Sequence, residues 1–126
     1  VLREGKDITI FATGLCVVES LYAAEMLAAD GIDVELINIH TIKPLDEELV
    51  AASAAKTKRV FTVEEHSVIG GLGAAVCETL SEKCPVKVTR IGMNDIFGES
   101  GPAVELLHKY GLDAEGIYRK IKEALK

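Results

Sequence analysis

Asp7-Ile8-Thr9-Ile10-Phe11-Ala12-Thr13-Gly14, together with the helix-patterned stretch Val17–Ala29 behind it, decides the fold. The β-branched and aromatic residues of the first segment, ended by a glycine, read as a strand. From Val17 to Ala29 the pattern changes period: Val17, Leu21, Ala24 and Ala28 recur at helical spacing, and Val18, Tyr22 and Leu27 widen the stripe. Gly31 stands where a helix C-cap belongs. Asp33-Val-Glu-Leu-Ile-Asn-Ile-His40 then returns to a strand pattern. Two strands joined by a helix of this length form a parallel pair, because a hairpin has no room for the crossover.

The same alternation continues outward. Thr41-Ile-Lys-Pro-Leu-Asp46 reads as a turn before a short helix that runs through about Ser53, and Lys58–Glu64 as a third strand. A loop leads to a helix over Leu72–Lys83, and Val86–Ile91 makes a fourth strand with Pro85 at its start. This β-α-β-α-β-α-β order predicts an α/β fold with a mainly parallel sheet covered by helices on both faces. Two helices close the chain. The first, near Pro102–Tyr110, has proline in its opening turn and Gly111 just past its end. The second starts at Asp113 as cap, with Leu112 and Ile117 as a hydrophobic staple and Ile117, Ile121 and Leu125 as its apolar stripe.

Composition excludes several classes. With 126 residues and 48% hydrophobic content, the chain can build one core, so residues 1–126 read as a single domain. A net charge of −6 leaves no cationic surplus to neutralise a phosphate backbone, so nucleic acid is not an expected partner. No apolar run approaches the roughly 18–20 residues that cross a bilayer, and the N-terminal residues lack a signal-peptide pattern. No membrane association and a cytoplasmic location are therefore expected. Cys16, Cys77 and Cys84 are odd in number and have no C-x-x-C pairing, and they read as buried or semi-buried thiols rather than a disulfide framework or a zinc site. Val1 in place of a methionine, just ahead of an apolar strand, reads as a piece of a longer polypeptide.

Gly70-Gly71-Leu72-Gly73 is the best candidate for a phosphate cradle, since bare amides at a helix N-terminus attract anions. The dinucleotide fingerprint, however, comes directly after the first strand, and these glycines come after the third and a loop. Close packing of helix on sheet is the preferred reading, with a stand-alone nucleotide-binding domain as an alternative. Glu64-Glu65-His66 lies at the C-terminal end of a parallel strand, where open α/β sheets bind ligands. A carboxylate beside an imidazole can move a proton or hold a metal. Adjacent residues of an extended chain point to opposite sides, though, and no second ligand stands at a useful spacing, which favours a structural or interface role.

His40 and His108 read as surface or capping residues. Cys16 begins a helix, whose dipole can lower a thiol pKa, but it lacks a base partner. The loop Asn94–Pro102, with Asp95, Phe97, Glu99 and Ser100, suits contact with another subunit or a neighbouring domain, and Ser100 can also cap the next helix. No complete catalytic constellation emerges, so the chain reads as part of an enzyme.

Taken together, Ile8–Gly14, Ile39–Asp46, Val63–Gly73 and Phe97–Gly101 with Leu106–Leu112 resemble the C-terminal domain of the transketolase family, over the whole chain. Thr41–Asp46 and Glu64–Gly73 are shared with deoxyxylulose-phosphate synthases and the β subunits of 2-oxoacid dehydrogenases, in which this domain is an interaction module. Phe-Gly-Glu-Ser-Gly with Leu-Leu-His-Lys-Tyr-Gly is closer to transketolase itself. The resemblance implies a three-layer α/β/α fold around a five-stranded, mostly parallel mixed sheet, with Val1–Arg3 as remains of the antiparallel strand, joined in a hairpin through Glu4–Asp7. It also implies that thiamine diphosphate and magnesium are held by preceding domains, through a Gly-Asp-Gly motif, a glutamate, histidines and arginines that have no counterpart here. No catalytic, cofactor-binding or metal residue is therefore assigned, and the domain alone is expected to bind no cofactor and to be inactive. For the intact enzyme the resemblance implies two-carbon ketol transfer between sugar phosphates of the pentose phosphate type, through a carbanion on the thiazolium ring, in a homodimer built with the N-terminal domains or subunit. Candidate interface or active-site-edge residues are Glu64, Glu65, His66, Gly70, Gly71, Gly73, Asp95, Phe97, Glu99 and Ser100.

Overall fold

The computed structural model describes residues 1–40, 44–67, 71–93 and 111–126. In chain order these contain β1 (Ile8–Ala12), α1 (Cys16–Ala29), β2 (Val34–Asn38), α2 (Glu47–Thr57), β3 (Arg59–Ser67), α3 (Leu72–Lys83), β4 (Lys87–Met93) and α4 (Ala114–Ala124). The strands form one sheet in the order β2-β1-β3-β4, with every pair parallel. Ile10 is paired with Leu36 on one side and with Phe61 on the other.

Alternation along the strands sorts the side chains into two cores. Ile8, Ile10 and Ala12 of β1 pack with Ala23, Ala24 and Leu27 of α1 and Ile117 and Ile121 of α4. Phe11, Ile37 and Val60 pack on the opposite face with Val50 and Ala54 of α2 and Val76 and Leu80 of α3. The two cores give the expected α/β/α layering. The connection from β1 steps outward to β2 over one face, whereas those from β2 and β3 step the other way over the opposite face. A chain that keeps one crossover hand must change face when it changes direction.

The sheet has four strands among the described residues, not the five expected. Val1–Arg3 forms no hairpin with β1, because both edges of β1 are taken, by β2 and β3. It lies instead against the outer edge of β2 as a single antiparallel bridge, Arg3 to Leu36, with Leu2 N donating to Leu36 O at 2.8 Å and Leu36 N to Arg3 O at 2.9 Å. The stripe of α1 also differs from expectation. Val18, Tyr22 and Ala28 are exposed, and the sheet-facing side is made of Cys16, Ser20, Ala23, Ala24 and Leu27. Small residues on that side let the helix lie close to the sheet. In α4, Ile117 and Ile121 are buried, but Leu125 is partly exposed at the helix end. The helix expected over residues 102–110 lies outside the described residues.

Local end signals hold where they can be compared. Gly31, at φ 84°, closes α1 with Gly31 N donating to Ala28 O and Ile32 N to Leu27 O, the double bond of a Schellman motif. Asp113 accepts from Gly116 N at 3.0 Å, and Leu112 and Ile117 are buried in the same cluster. α2 runs beyond Ser53 to Thr57 and ends on Lys58 in the left-handed region, at φ 61°.

Gly116 gives a test in which packing opposes propensity. A methyl at this first-turn position would come within 2.4 Å of the Gly111 carbonyl oxygen. Helix propensity alone favours Gly116→Ala by about 1 kcal/mol. Overpacking against fixed backbone reverses the sign, and the variant is expected to lose about 1–3 kcal/mol in urea unfolding.

Candidate functional site

β1 and β3 are neighbours whose connections leave to opposite faces, so the C-terminal ends of these strands open a crevice at the point where strand order reverses. Three segments meet at this rim: Thr13-Gly14-Leu15 after β1, Asn38-Ile39-His40 at the end of β2, and Glu64-Glu65 near the end of β3. Between them lies a cavity of about 550 Å³ lined by Thr13, Gly14, Val17, Val18, Asn38, Ile39, His40 and Glu65. Its volume is in the range of small-molecule sites.

Glu64 and Glu65 show why the order of residues matters here. As consecutive strand residues they project to opposite faces, and each meets a different helix. Glu64 is 1% exposed, and its carboxylate accepts from Leu72 N at 3.0 Å and from Gly73 N at 2.7 Å. It thus fills the N-terminus of α3, where unpaired N–H groups and the helix dipole favour a negative charge. Glu65 turns to the other face and accepts from Leu15 N at 3.1 Å, at the N-terminus of α1. Gly14 permits this contact: at φ 58°, a Cβ there would lie 2.1 Å from the Glu65 Oε1.

Gly73 sits against the sheet, and a Cβ on it would lie 3.0 Å from Thr62 Oγ1 and 2.8 Å from the Arg90 side chain. This is the close approach expected of the glycine-rich segment. The phosphate cradle is closed by the same geometry, because the amides that would hold an anion already hold Glu64. The described residues therefore do not fit a nucleotide or a diphosphate at α3. Among the described residues, no group of three or more His, Cys, Asp and Glu side chains could hold a metal ion. No helix among them is long and apolar enough to cross a membrane.

Cys16 lies at the start of α1, and its environment reverses the effect expected of the dipole. Burial first, then the carboxylates of Glu65, Glu64 and Glu19, push its thiol up to about 12. It is a buried, protonated thiol, while Cys77 and Cys84 are half-buried and also free.

The structure brings Glu64, Glu65, Gly71 and Gly73 together at the rim, with the backbone of His66 next in β3. Gly70, Asp95, Phe97, Glu99 and Ser100 lie outside the described residues, as does His108. Thr13, Asn38 and the exposed His40 line the cavity, and sequence reasoning singles out neither Thr13 nor Asn38. Their position immediately at strand ends is the available signal. Glu19 is also missed; it accepts from Ala114 N at 3.2 Å and supports the start of α4.

The family model described as transketolase, C-terminal domain, matches residues 1–117. A 6-deoxy-6-sulfo-D-fructose transketolase subunit of Clostridium sp. strain MSTE9 is 54% identical over 97% of this chain, which spans 38% of that protein. A putative transketolase C-terminal section of Methanocaldococcus jannaschii is 50% identical over 100% of the chain, which spans 39% of it. A 1-deoxy-D-xylulose-5-phosphate synthase of Syntrophotalea carbinolica is 43% identical over 96% of the chain, which spans 19% of it. A solved structure titled split gene transketolase, inactive beta4 tetramer, superposes with a TM-score of 0.92 at 50% identity, covering 99% of this chain and 41% of that one.

Two measurements test the electrostatics of the rim. Glu64→Gln replaces one of two accepting oxygens with a donor facing a backbone N–H, and should cost about 2–3 kcal/mol of stability at pH 7. Glu65→Gln keeps an acceptor at a partly solvated site and should cost about 0.5–1 kcal/mol. Equal losses in chemical denaturation would contradict the difference in burial. For Cys16, the raised folded value means that stability is fully present below the unfolded value of 9.0 and declines as pH rises toward about 12. The decline attributable to this thiol approaches about 1.4 kcal/mol per pH unit, and the stability difference between wild type and Cys16→Ala measured from pH 8 to 10.5 should shrink accordingly.

Proposed function

This chain belongs to the transketolase C-terminal-domain family, and on that premise we propose that it is the C-terminal section of a thiamine-diphosphate-dependent transketolase. In this reading the intact enzyme moves a two-carbon ketol unit between sugar phosphates in the cytoplasm, as a homodimer or a higher assembly. The observation that carries the reading is similarity over 97% and 100% of this chain to a transketolase subunit and a transketolase C-terminal section, at 54% and 50% identity, against 43% for the deoxyxylulose-phosphate synthase relative.

The part of this domain is structural and positional. Glu64 and Glu65 hold the starts of α3 and α1 in place, and so set the rim that the rest of the enzyme meets. His66, Gly70, Gly71, Gly73, Asp95, Phe97, Glu99 and Ser100 complete the edge in this reading. The filled N-terminus of α3 supports placing thiamine diphosphate and magnesium on the preceding domains or a partner chain. The synthase relative, matching 96% of the chain, favours deoxyxylulose-phosphate synthase as the second reading.

Calorimetric titration of the 126-residue chain with thiamine diphosphate and Mg²⁺ should show no binding heat. Assembled with its preceding section, it should transfer a ketol group from a ketose phosphate to an aldose phosphate. Tight cofactor binding by the chain alone would overturn the division of labour, and synthesis of 1-deoxyxylulose 5-phosphate by the assembly would select the second reading.

A further inference from the structure

α1 is apolar on two sides, and among the described residues only one of them is packed into a core. Cys16, Ser20, Ala23 and Leu27 face the sheet. On the opposite side Leu15, Val18 and Tyr22, spaced by three and four residues, form one stripe and are 49%, 54% and 53% exposed. The stripe starts at the rim and ends at Glu25, which is exposed. Neighbouring α4 has the usual charged outer face, with Glu115 and Arg119 bridged to each other and about two-thirds exposed. A helix apolar on both sides has two partners, and large exposed side chains gathered in one place mark an interaction surface.

The path of the N-terminal residues indicates which partner. Val1 and Leu2 are 59% and 53% exposed. Val1–Arg3 runs antiparallel to β2 with Arg3 bridged to Leu36, so going backward from Arg3 to Val1 leads toward Asn38 and the C-terminal rim. Whatever precedes Val1 is delivered to the rim where the stripe begins. The two transketolase relatives are much longer than this chain, which spans 38% and 39% of them.

We propose that the rim-side stripe Leu15-Val18-Tyr22, together with Val1 and Leu2 at the outer edge of β2, is the surface on which the preceding section of the enzyme docks, rather than a contact with a second copy of this domain. The proposal rests on the reading of the chain as a C-terminal transketolase section. The preceding section covers the apolar stripe while its last residues run down along the outer edge of β2.

Site-specific photo-cross-linking in the intact protein, or in the complex with a separately encoded preceding section, tests this. p-Benzoyl-phenylalanine replaces Tyr22 in one preparation and Val18 in another, both exposed positions that the core does not use. Mass spectrometry should place most of the cross-links from both positions on peptides of the preceding section. Cross-links to residues of a second copy of this domain, or photoproducts of solvent alone, overturn the proposal. Ketol transfer by the same preparations is read separately. An active enzyme without the expected cross-links removes the docking surface and keeps the function, whereas cross-links in a protein that binds cofactor but transfers no ketol group do the reverse.

Discussion

The two helices that flank the crevice, α1 and α3, aim their N-termini at the same rim, and the positive ends they bring together have to be neutralised for the rim to hold its shape. The chain does this from within, with two consecutive acids on one strand. Because side chains alternate across a sheet, Glu64 and Glu65 reach opposite layers with no change in backbone path. One ties α3 to β3, and the other ties the β1–α1 turn to β3. The crevice at the strand-order reversal is thus fastened on both sides by adjacent residues. The same chemistry recurs at the other described helices: Asp46 accepts from Leu49 N, and Asp113 and Glu19 serve the start of α4. Part of the acidic excess of the sequence is accounted for in this way.

This arrangement constrains what the rim can bind. In many α/β folds the amides at a helix start are left open for a phosphate. Here they are occupied by the protein's own carboxylates, and the nearby thiol of Cys16 is kept neutral by burial and by those same charges. What remains available is a cavity with a hydroxyl, an amide, an imidazole and one partly engaged carboxylate, beside an apolar helix face. Such a surface suits precise seating against protein better than capture of an anion. That agrees with a family in which this domain is a fraction of a longer enzyme.

What is legible in the sequence is local. A glycine past a helix end, an aspartate before one and a β-branched run between loops each act through a few neighbouring residues, and Gly31, Asp113 and β1 take the expected forms. The misses involve partners distant in sequence. Hydrophobicity at Val18 and Tyr22 reports that they seek apolar contact, but not whether that contact lies inside the domain. Val1–Arg3 pairs with a different strand from the one expected because strand order cannot be read from chain order, and β1 has no free edge. For Glu64 the position is recognisable and the role is not: whether a carboxylate at a strand end faces solvent or a helix eight residues later depends on how that helix returns to the sheet. The motif reading places Gly73 correctly for close packing.

The short N-terminal segment has a meaning beyond topology. An outer strand leaves a row of N–H and C=O groups that another chain can copy, and folded proteins suppress this by covering or interrupting the edge. β2 is such a strand, rich in aliphatic residues, and Arg3 shields it with one bridge while its guanidinium bonds to Val34 O and pairs with Asp33. Three residues with little role in the core therefore cover part of the outer edge of β2, where an exposed ladder of backbone groups would otherwise invite pairing.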